Sequence, residues 1–505
     1  MRPIGRLKLF ADTKEITRDN VVDVIESVRS DFLINQNRCD ELLAIEAGDM
    51  PICREKKVRP DINVVTVDPI AHEICQFKEG YHWGSAISFV QRGLKDSGSV
   101  GENEGIALLN ECYAAENVGR KQRVLGHFVE ITGIGYTFVD IKSEWREGDS
   151  YFELETLDPR FAFVIRSSMY SDHRVLLGVT FRVDKRGDAY YTAFSKDYRF
   201  EISGGKVTSI TANPLRMIPI IEWERSSDRM GVFEREIPEM NRINLLLADV
   251  ANDIDSETQQ IWHLNDLELP HKKDADGNDT DEIEPPKSNE WVITYTTKDG
   301  KTPFIKPLAA SYDYNGLLNN YTTARAMILQ RTYTPQRNDN SGGSTGIATE
   351  TATGYTAAEQ VAAAQQLLIE ASKMDEAKVV LEAIRRSNKL TKNNPLMKLH
   401  YMDLKPNVTR LKNFELTVKS TAFANLVSHG INGLHAIRTI ALFDDPMQTW
   451  EDSKELIEQY QQKAFGEDKE VKPDSTDPLY QIGNSPEIDG MDMVQPKELK
   501  DDTDR

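Results

Sequence analysis

The chain has 505 residues, of which 39% are hydrophobic and 28% charged, and its formal net charge is −20. Such a length allows about two to four domains with real cores, and the composition excludes a disordered chain. The charge argues against a groove that grips phosphates through many Lys and Arg contacts, but an acidic wall leaves DNA open as a passing cargo.

No apolar run reaches the roughly 18 residues of a membrane span. Met1 to Phe10 carries basic residues without a sustained apolar stretch, so no signal peptide is read there. Cys39, Cys53, Cys75 and Cys112 form no Cys-x-x-Cys pair, which points to reduced thiols in a cytoplasmic setting.

Residues 17–48 read as helical, with Val21, Val22, Ile25 and Val28 at helical spacing and a stop at Asp49-Met50-Pro51. Val64 to Cys75 leads into a buried helix or strand ending at Gly80. Residues 95–105 read as a flexible loop, and 106–131 as helix. Alternating segments follow at 134–141, 151–157, 175–183, 190–194 and 198–202. Turn residues at Asp158-Pro159, Lys185 to Asp188 and Ser203 to Lys206 separate them, so a run of antiparallel hairpins is expected. It closes with Ile218 to Trp223. Residues 1–235 thus read as one α+β domain.

From Glu236 to Asp266 the pattern is helical, with Ile237, Met240, Ile243, Leu247, Val250, Ile254 and Ile261 on a 3–4 residue repeat. Asp249, Asp253 and Glu257 fall four apart, on one face: a solvated stripe, or one turned to a channel or a neighbouring subunit. A polar, acidic stretch follows. Glu290 to Tyr295 reads as a strand, with Pro303 to Pro307 as its partner across a turn at 298–301. Asp313 to Tyr333 reads as a second helix. After the Gly/Ser/Thr segment Asn338 to Gly346, an Ala-rich helix runs from Thr356 to Leu390. Residues 397–418 read as extended, with helices at 421–429, 434–442 and 449–465. The acidic tail 467–505 is expected to be disordered.

Two motifs invite chemistry. Asp274, Asp276 and Asn278 occupy the first, third and fifth places of an EF-hand loop, but Asp279 stands where Gly is required and Pro285 where a bidentate Glu is required. A solvated acidic loop fits better. Gly342 to Gly346 matches G-x-S-x-G, but a nucleophile elbow needs a buried strand before it, and Thr334 to Ser341 is polar. No P-loop occurs. His72 and Cys75 have metal-like spacing without a second pair. No catalytic residue, metal or cofactor is assigned.

The helix–insert–helix–loop–helix order between 236 and 390 resembles the portal proteins of tailed phages, of the long-tailed siphophage type. Local patches are similar too: Gly48 to Arg54, Ile131 to Val139, Ile218 to Glu222, Ser344 to Ala348, and Gly433 to Pro446, where His435, Ala436 and Thr439 replace the family's polar pair. The resemblance implies an α+β portal fold. Residues 1–235 would be the wing, 236–264 the first stem helix, 265–310 the clip, 311–333 the second stem helix and 334–348 the tunnel loop. The long tunnel helix would take 349–392, an extended return to the wing 393–420, the crown 421–466, and the tail 467–505.

It further implies a homo-oligomeric ring, usually of twelve, at one capsid vertex of the virion, made in the host cytoplasm, with double-stranded DNA in the channel and no membrane. The implied partners are the terminase large subunit, scaffold, major capsid protein and a head-completion adaptor. Channel-facing candidates are Arg337, Asn338, Asn340, Ser341, Gly342, Gly343, Ser344 and Thr345 in the loop, with Lys373 beyond them as a phosphate contact, and Asp249, Asp253 and Glu257 on the stem. Asp274, Asp276 and Trp291 mark the clip. The alternatives are a minor head protein of related fold and, further off, a hydrolase using Ser344.

Overall fold

The computed structural model describes residues 5–54, 64–92, 104–171, 173–258, 262–265, 271–273, 279–283, 304–307, 314–336, 354–410, 416–440 and 446–465. They divide into two compact units, Met1–Glu415 and Leu416–Arg505.

The first unit opens with strand β1 (Leu9–Ala11) and helix α1 (Val21–Glu46). Val21, Val24, Ile25, Val28 and Phe32 line one stripe of α1 at helical spacing and are buried. After a 3-10 turn at Pro51–Arg54 come α2 (Ile70–Trp83), β2 (Ser88–Gln91), α3 (Glu104–Ala115), α4 (Val118–Thr132), β3 (Ile134–Ile141) and β4 (Phe152–Leu157). Where the spacing suggested one helix over 106–131, two are found. Asn117 adopts a left-handed backbone (φ 53°), which ends α3 before α4 begins.

Strands β5 (Ala162–Ser167), β6 (Val175–Val183), β7 (Ala189–Phe194), β8 (Tyr198–Ser203), β9 (Lys206–Ala212) and β10 (Ile220–Glu224) complete the β region. A six-stranded sheet has the order β1-β5-β6-β7-β8-β9, and a three-stranded sheet the order β10-β3-β4. The expected hairpins are present, but β1 joins β5 in parallel. Gly204 and Gly205, both at positive φ, supply the two-residue turn between β8 and β9. The apolar stripe of α1 packs on one face of the large sheet, against Phe163, Leu177, Val179 and Phe200. The small sheet covers part of the other, through Ile134, Tyr136 and Ile220 against Ala162, Val164 and Phe194. Gly126 on α4 lets the indole of Trp83 pass, since a Cβ there would run into it.

Helix α5 (Ile237–Thr258) stops short of the expected Asp266, and Trp262–Asn265 is instead a strand, β11. Its partner is β14 (Phe304–Pro307), antiparallel, while β12 (His271–Lys273) pairs with β13 (Asp279–Ile283). The sequence paired 303–307 with 290–295; the structure pairs it with 262–265, and 290–295 lie outside the described residues. Helices α6 (Tyr314–Arg331) and α7 (Tyr355–Arg386) follow. The extended reading of 397–418 holds at 404–407 and is corrected at its ends, where 395–398 and 416–418 are helical. A short helix α8 (Pro395–Lys398), capped by Asn394 with Pro at its first position, precedes β15 (Leu404–Asn407), which pairs with β2. Ile369, Ala377, Val380, Leu381 and Ile384 of α7 pack into the largest core, with Val139, Leu154 and Trp223 of the small sheet.

The second unit holds α9 (Leu416–Ser428), α10 (Gly433–Ile440) and α11 (Pro446–Phe465). Leu434, Ile437 and Trp450 form its small core, supported by Phe423 and Ile457. The acidic tail lies outside the described residues.

Candidate channel elements and their anchoring

Helices α5 and α6 pack on each other. Met240, Ile243 and Ala248 of α5 and Ala324, Ile328 and Leu329 of α6 share one apolar core with Ile70, Ile74, Leu42 and Phe233. The pair is thus rooted in the first unit. Polar contacts extend the root. Tyr321 donates its hydroxyl to Asp68 Oδ2 at 2.8 Å, and Arg325 reaches Asp68 Oδ2 at 3.2 Å and also pairs with Glu73. Asn244 Oδ1 accepts from the Asp68 amide at 2.9 Å, and Asn252 Oδ1 from the Val64 amide at 2.7 Å. Away from this root Leu245, Ile254, Leu318 and Met327 are exposed.

The chain leaves α6 through a tight cap. The Thr334 amide donates to the Leu329 carbonyl at 2.8 Å and the Tyr333 amide to the Gln330 carbonyl at 3.1 Å, the paired bonds of a Schellman motif. That motif favours Gly at the left-handed position, yet Tyr333 holds it (φ 52°), at a cost on the order of 1 kcal/mol. Lys78, 1% exposed, donates Nζ to the Tyr333 carbonyl at 3.1 Å. Burial pulls the Lys78 ammonium down to about 8, opposed by the Glu130 carboxylate. Helix α7 begins after Gly354, its N-terminal cap, also left-handed (φ 89°).

Beneath these elements lie buried ion networks. Glu234 accepts from Arg6 and, at 2.8 Å, from Arg38 Nε, and its other oxygen takes the Gly231 amide at 3.0 Å. Arg6 also donates to the Thr132 carbonyl at 3.1 Å. Glu222 pairs with Arg229 at 2.8 Å and Arg166 at 2.9 Å. Burial disfavours its charge, but the two guanidiniums outweigh that and hold its carboxyl down at about 2. Glu130 meets His82 at 2.8 Å and Arg225 at 2.9 Å; against its burial these partners hold it far below the carboxylate range.

Of the channel candidates, Asp249 is exposed on α5. Asp253 and Glu257 lie on the same helix, but their side chains are outside the described set. So are Arg337, Asn338, Asn340, Ser341, Gly342, Gly343, Ser344 and Thr345, and Asp274, Asp276 and Trp291. Lys373 is corrected. It is fully buried, ion-paired with Glu376 at 2.6 Å and set over the Tyr113 ring at 4.1 Å, so it is a core group and not a phosphate contact. The helical spacing that buried Ile369, Ala377 and Val380 also turns Lys373 inward. The metal-like spacing of His72 and Cys75 resolves otherwise: His72 pairs with Glu46 at 2.6 Å, and Cys75 is buried with its thiol pushed up by desolvation. Among the described residues no three His, Cys, Asp or Glu side chains group as a metal site, and no helix is long and apolar enough to cross a membrane. Sequence reasoning missed Asp68, Glu73 and Lys78; a Pro69-started helix carrying Lys78 between Phe77 and Tyr81 was the available signal.

The family described as phage portal protein, SPP1 Gp6-like, matches residues 55–463. The chain belongs to that family, so it is a portal subunit, a connector component of a virion. The family is a structural one. Among curated proteins no relative matches the sequence. Similar solved structures include the neck of an empty GTA particle computed with C6 symmetry, at 12% identity and TM-score 0.40. The neck of a native GTA particle computed with C12 symmetry is similar at 10% and 0.40, and the virion of a native gene transfer agent particle at 10% and 0.39. Each comparison covers 74% of this chain and 90% of the other.

Proposed function

We propose that α5 and α6 are the stem of this portal, the insert between them its clip, residues 334–348 its tunnel loop, α7 its tunnel helix, and α9 to α11 its crown. The observation that carries this reading is the strand pair β11–β14. It joins the end of α5 to the start of α6 and closes the insert between the two helices. About twelve copies would close into a ring by cyclic symmetry. Exposed Leu245, Ile254, Leu318 and Met327 supply apolar surface that a neighbouring copy can cover.

Double-stranded DNA passes through such a ring during packaging and ejection. A duplex carries about one charge per 1.7 Å of axis, so a wall with few fixed cations lets it slide. Asp249, Asp253 and Glu257 face that duplex in this reading. Terminase docks at the clip; scaffold, major capsid protein and the head-completion adaptor bind the remaining surfaces. The role is structural, without catalysis.

Mass measurement of the purified full chain, with imaging down the particle axis, tests the ring: about twelve copies around an open channel are expected, and a stable monomer overturns the reading. Asp249→Lys with Asp253→Lys should leave the ring closed and lower the packaged DNA. Ser344→Ala should package normally; lost packaging would favour the hydrolase alternative.

A further inference from the structure

Residues 337–353 are bracketed by two described ends, the close of α6 and the start of α7. Both ends touch the same short helix, α2. Lys78 donates to the Tyr333 carbonyl at 3.1 Å, at the left-handed residue that ends α6. One turn on, Tyr81 donates its hydroxyl to Glu359 of α7. Phe77 stacks on Tyr81 with ring centroids 5.4 Å apart and meets Tyr355, the first residue of α7, edge-on at 6.1 Å. The Lys78 ammonium lies 5.3 Å from the Phe77 ring, which joins the two halves of the contact. Arg410, after β15, pairs with Glu359 and Gln366 of α7, so Glu359 is itself held in place.

We propose that α2 is a clamp that fixes the exit of α6 and the entrance of α7 relative to each other, Lys78 holding one and Phe77 with Tyr81 the other. An ammonium bound to a carbonyl makes a stronger hydrogen bond than a neutral donor, and burial removes water as a competitor. Because α2 also holds α6 through Glu73 and Arg325, a shift of α6 relative to the body is passed to the first turn of α7 through one rigid element. This proposal rests on contacts among described residues and holds whether or not 337–353 line a channel.

Hydrogen exchange on the full-length assembled protein tests it. Peptides over 326–336 and 354–365 are compared in wild type, Lys78→Met and Tyr81→Phe, with peptides over β6 to β8 as the reference. Lys78→Met is expected to speed exchange at least about tenfold at both ends, the size of a lost charge-assisted hydrogen bond. Tyr81→Phe should also loosen both ends, and the reference should stay unchanged. If each variant loosens only the end it touches, the contacts are independent and the clamp is wrong. If Lys78→Met loosens the reference too, Lys78→Gln, which keeps an N–H donor, must restore reference and both ends; failure to do so overturns the proposal.

Discussion

The junction at residues 222–234 and the α5–α6 pair solve the same problem, holding elements distant in sequence, by opposite means. At the junction Glu234 and Glu222 are buried under guanidiniums from three other segments, Arg6, Arg38 and Arg166, and under Arg229 of the junction itself. In the helix pair the core is a single apolar stripe, and charged contacts such as Arg242 with Glu239 sit at the surface. A buried pair adds little net stability over an apolar substitute, but removing one partner strands a charge. A surface pair breaks with little consequence. The junction is therefore intolerant and specific, and the helix pair tolerant and adjustable.

The sharpest way to break that contrast is Glu234→Ala. It takes the buried carboxylate from Arg6, while Arg38 keeps Glu41, and should cost about 3–5 kcal/mol, read as a lower denaturant midpoint at unchanged slope. Acid gives the next effect. The Glu222 carboxyl lies at about 2 in the fold against an ordinary 4.5. The folded state thus binds fewer protons than the unfolded one across that window. The stabilisation is complete above 4.5 and is lost as pH falls toward 2, at most about 3 kcal/mol from this group, measured by denaturation against pH in wild type and Glu222→Gln. Gly126→Ala should follow, at about 1–3 kcal/mol, because its methyl collides with Trp83. Smallest is Arg242→Ala on α5, expected within about 0.5 kcal/mol in the same assay; a larger loss would show that the helix pair is as tightly specified as the junction.

Much of the fold was legible where periodicity is strong. The stripe of α1, the paired glycines between β8 and β9, and the long Ala-rich α7 carry their own local signals. What escaped depends on partners far away. β11 read as helix and gains strand character only from β14, which read as a strand but with another partner. β15 is defined by β2. The inward turn of Lys373 required knowing that Glu376, Phe89 and Tyr113 would surround it. The stripe at Asp249 was legible as a helix face. The α2 contacts to Tyr333 and Glu359 were not, since Lys78 and Tyr81 read equally well as solvated residues.

The bond between Arg6 and Glu234 spans 228 positions, and Tyr81 reaches Glu359 across 278. Such separations make the order of synthesis matter. An emerging chain has Arg6 available early but no carboxylate to receive it until the β region has left the ribosome. β2 must then wait for β15, past α5, α6 and α7. Folding with so many non-local closures is slow, and the unpaired edge of β2 is exposed meanwhile. A subunit of this design should therefore be produced best where synthesis is slow and the growing chain is shielded.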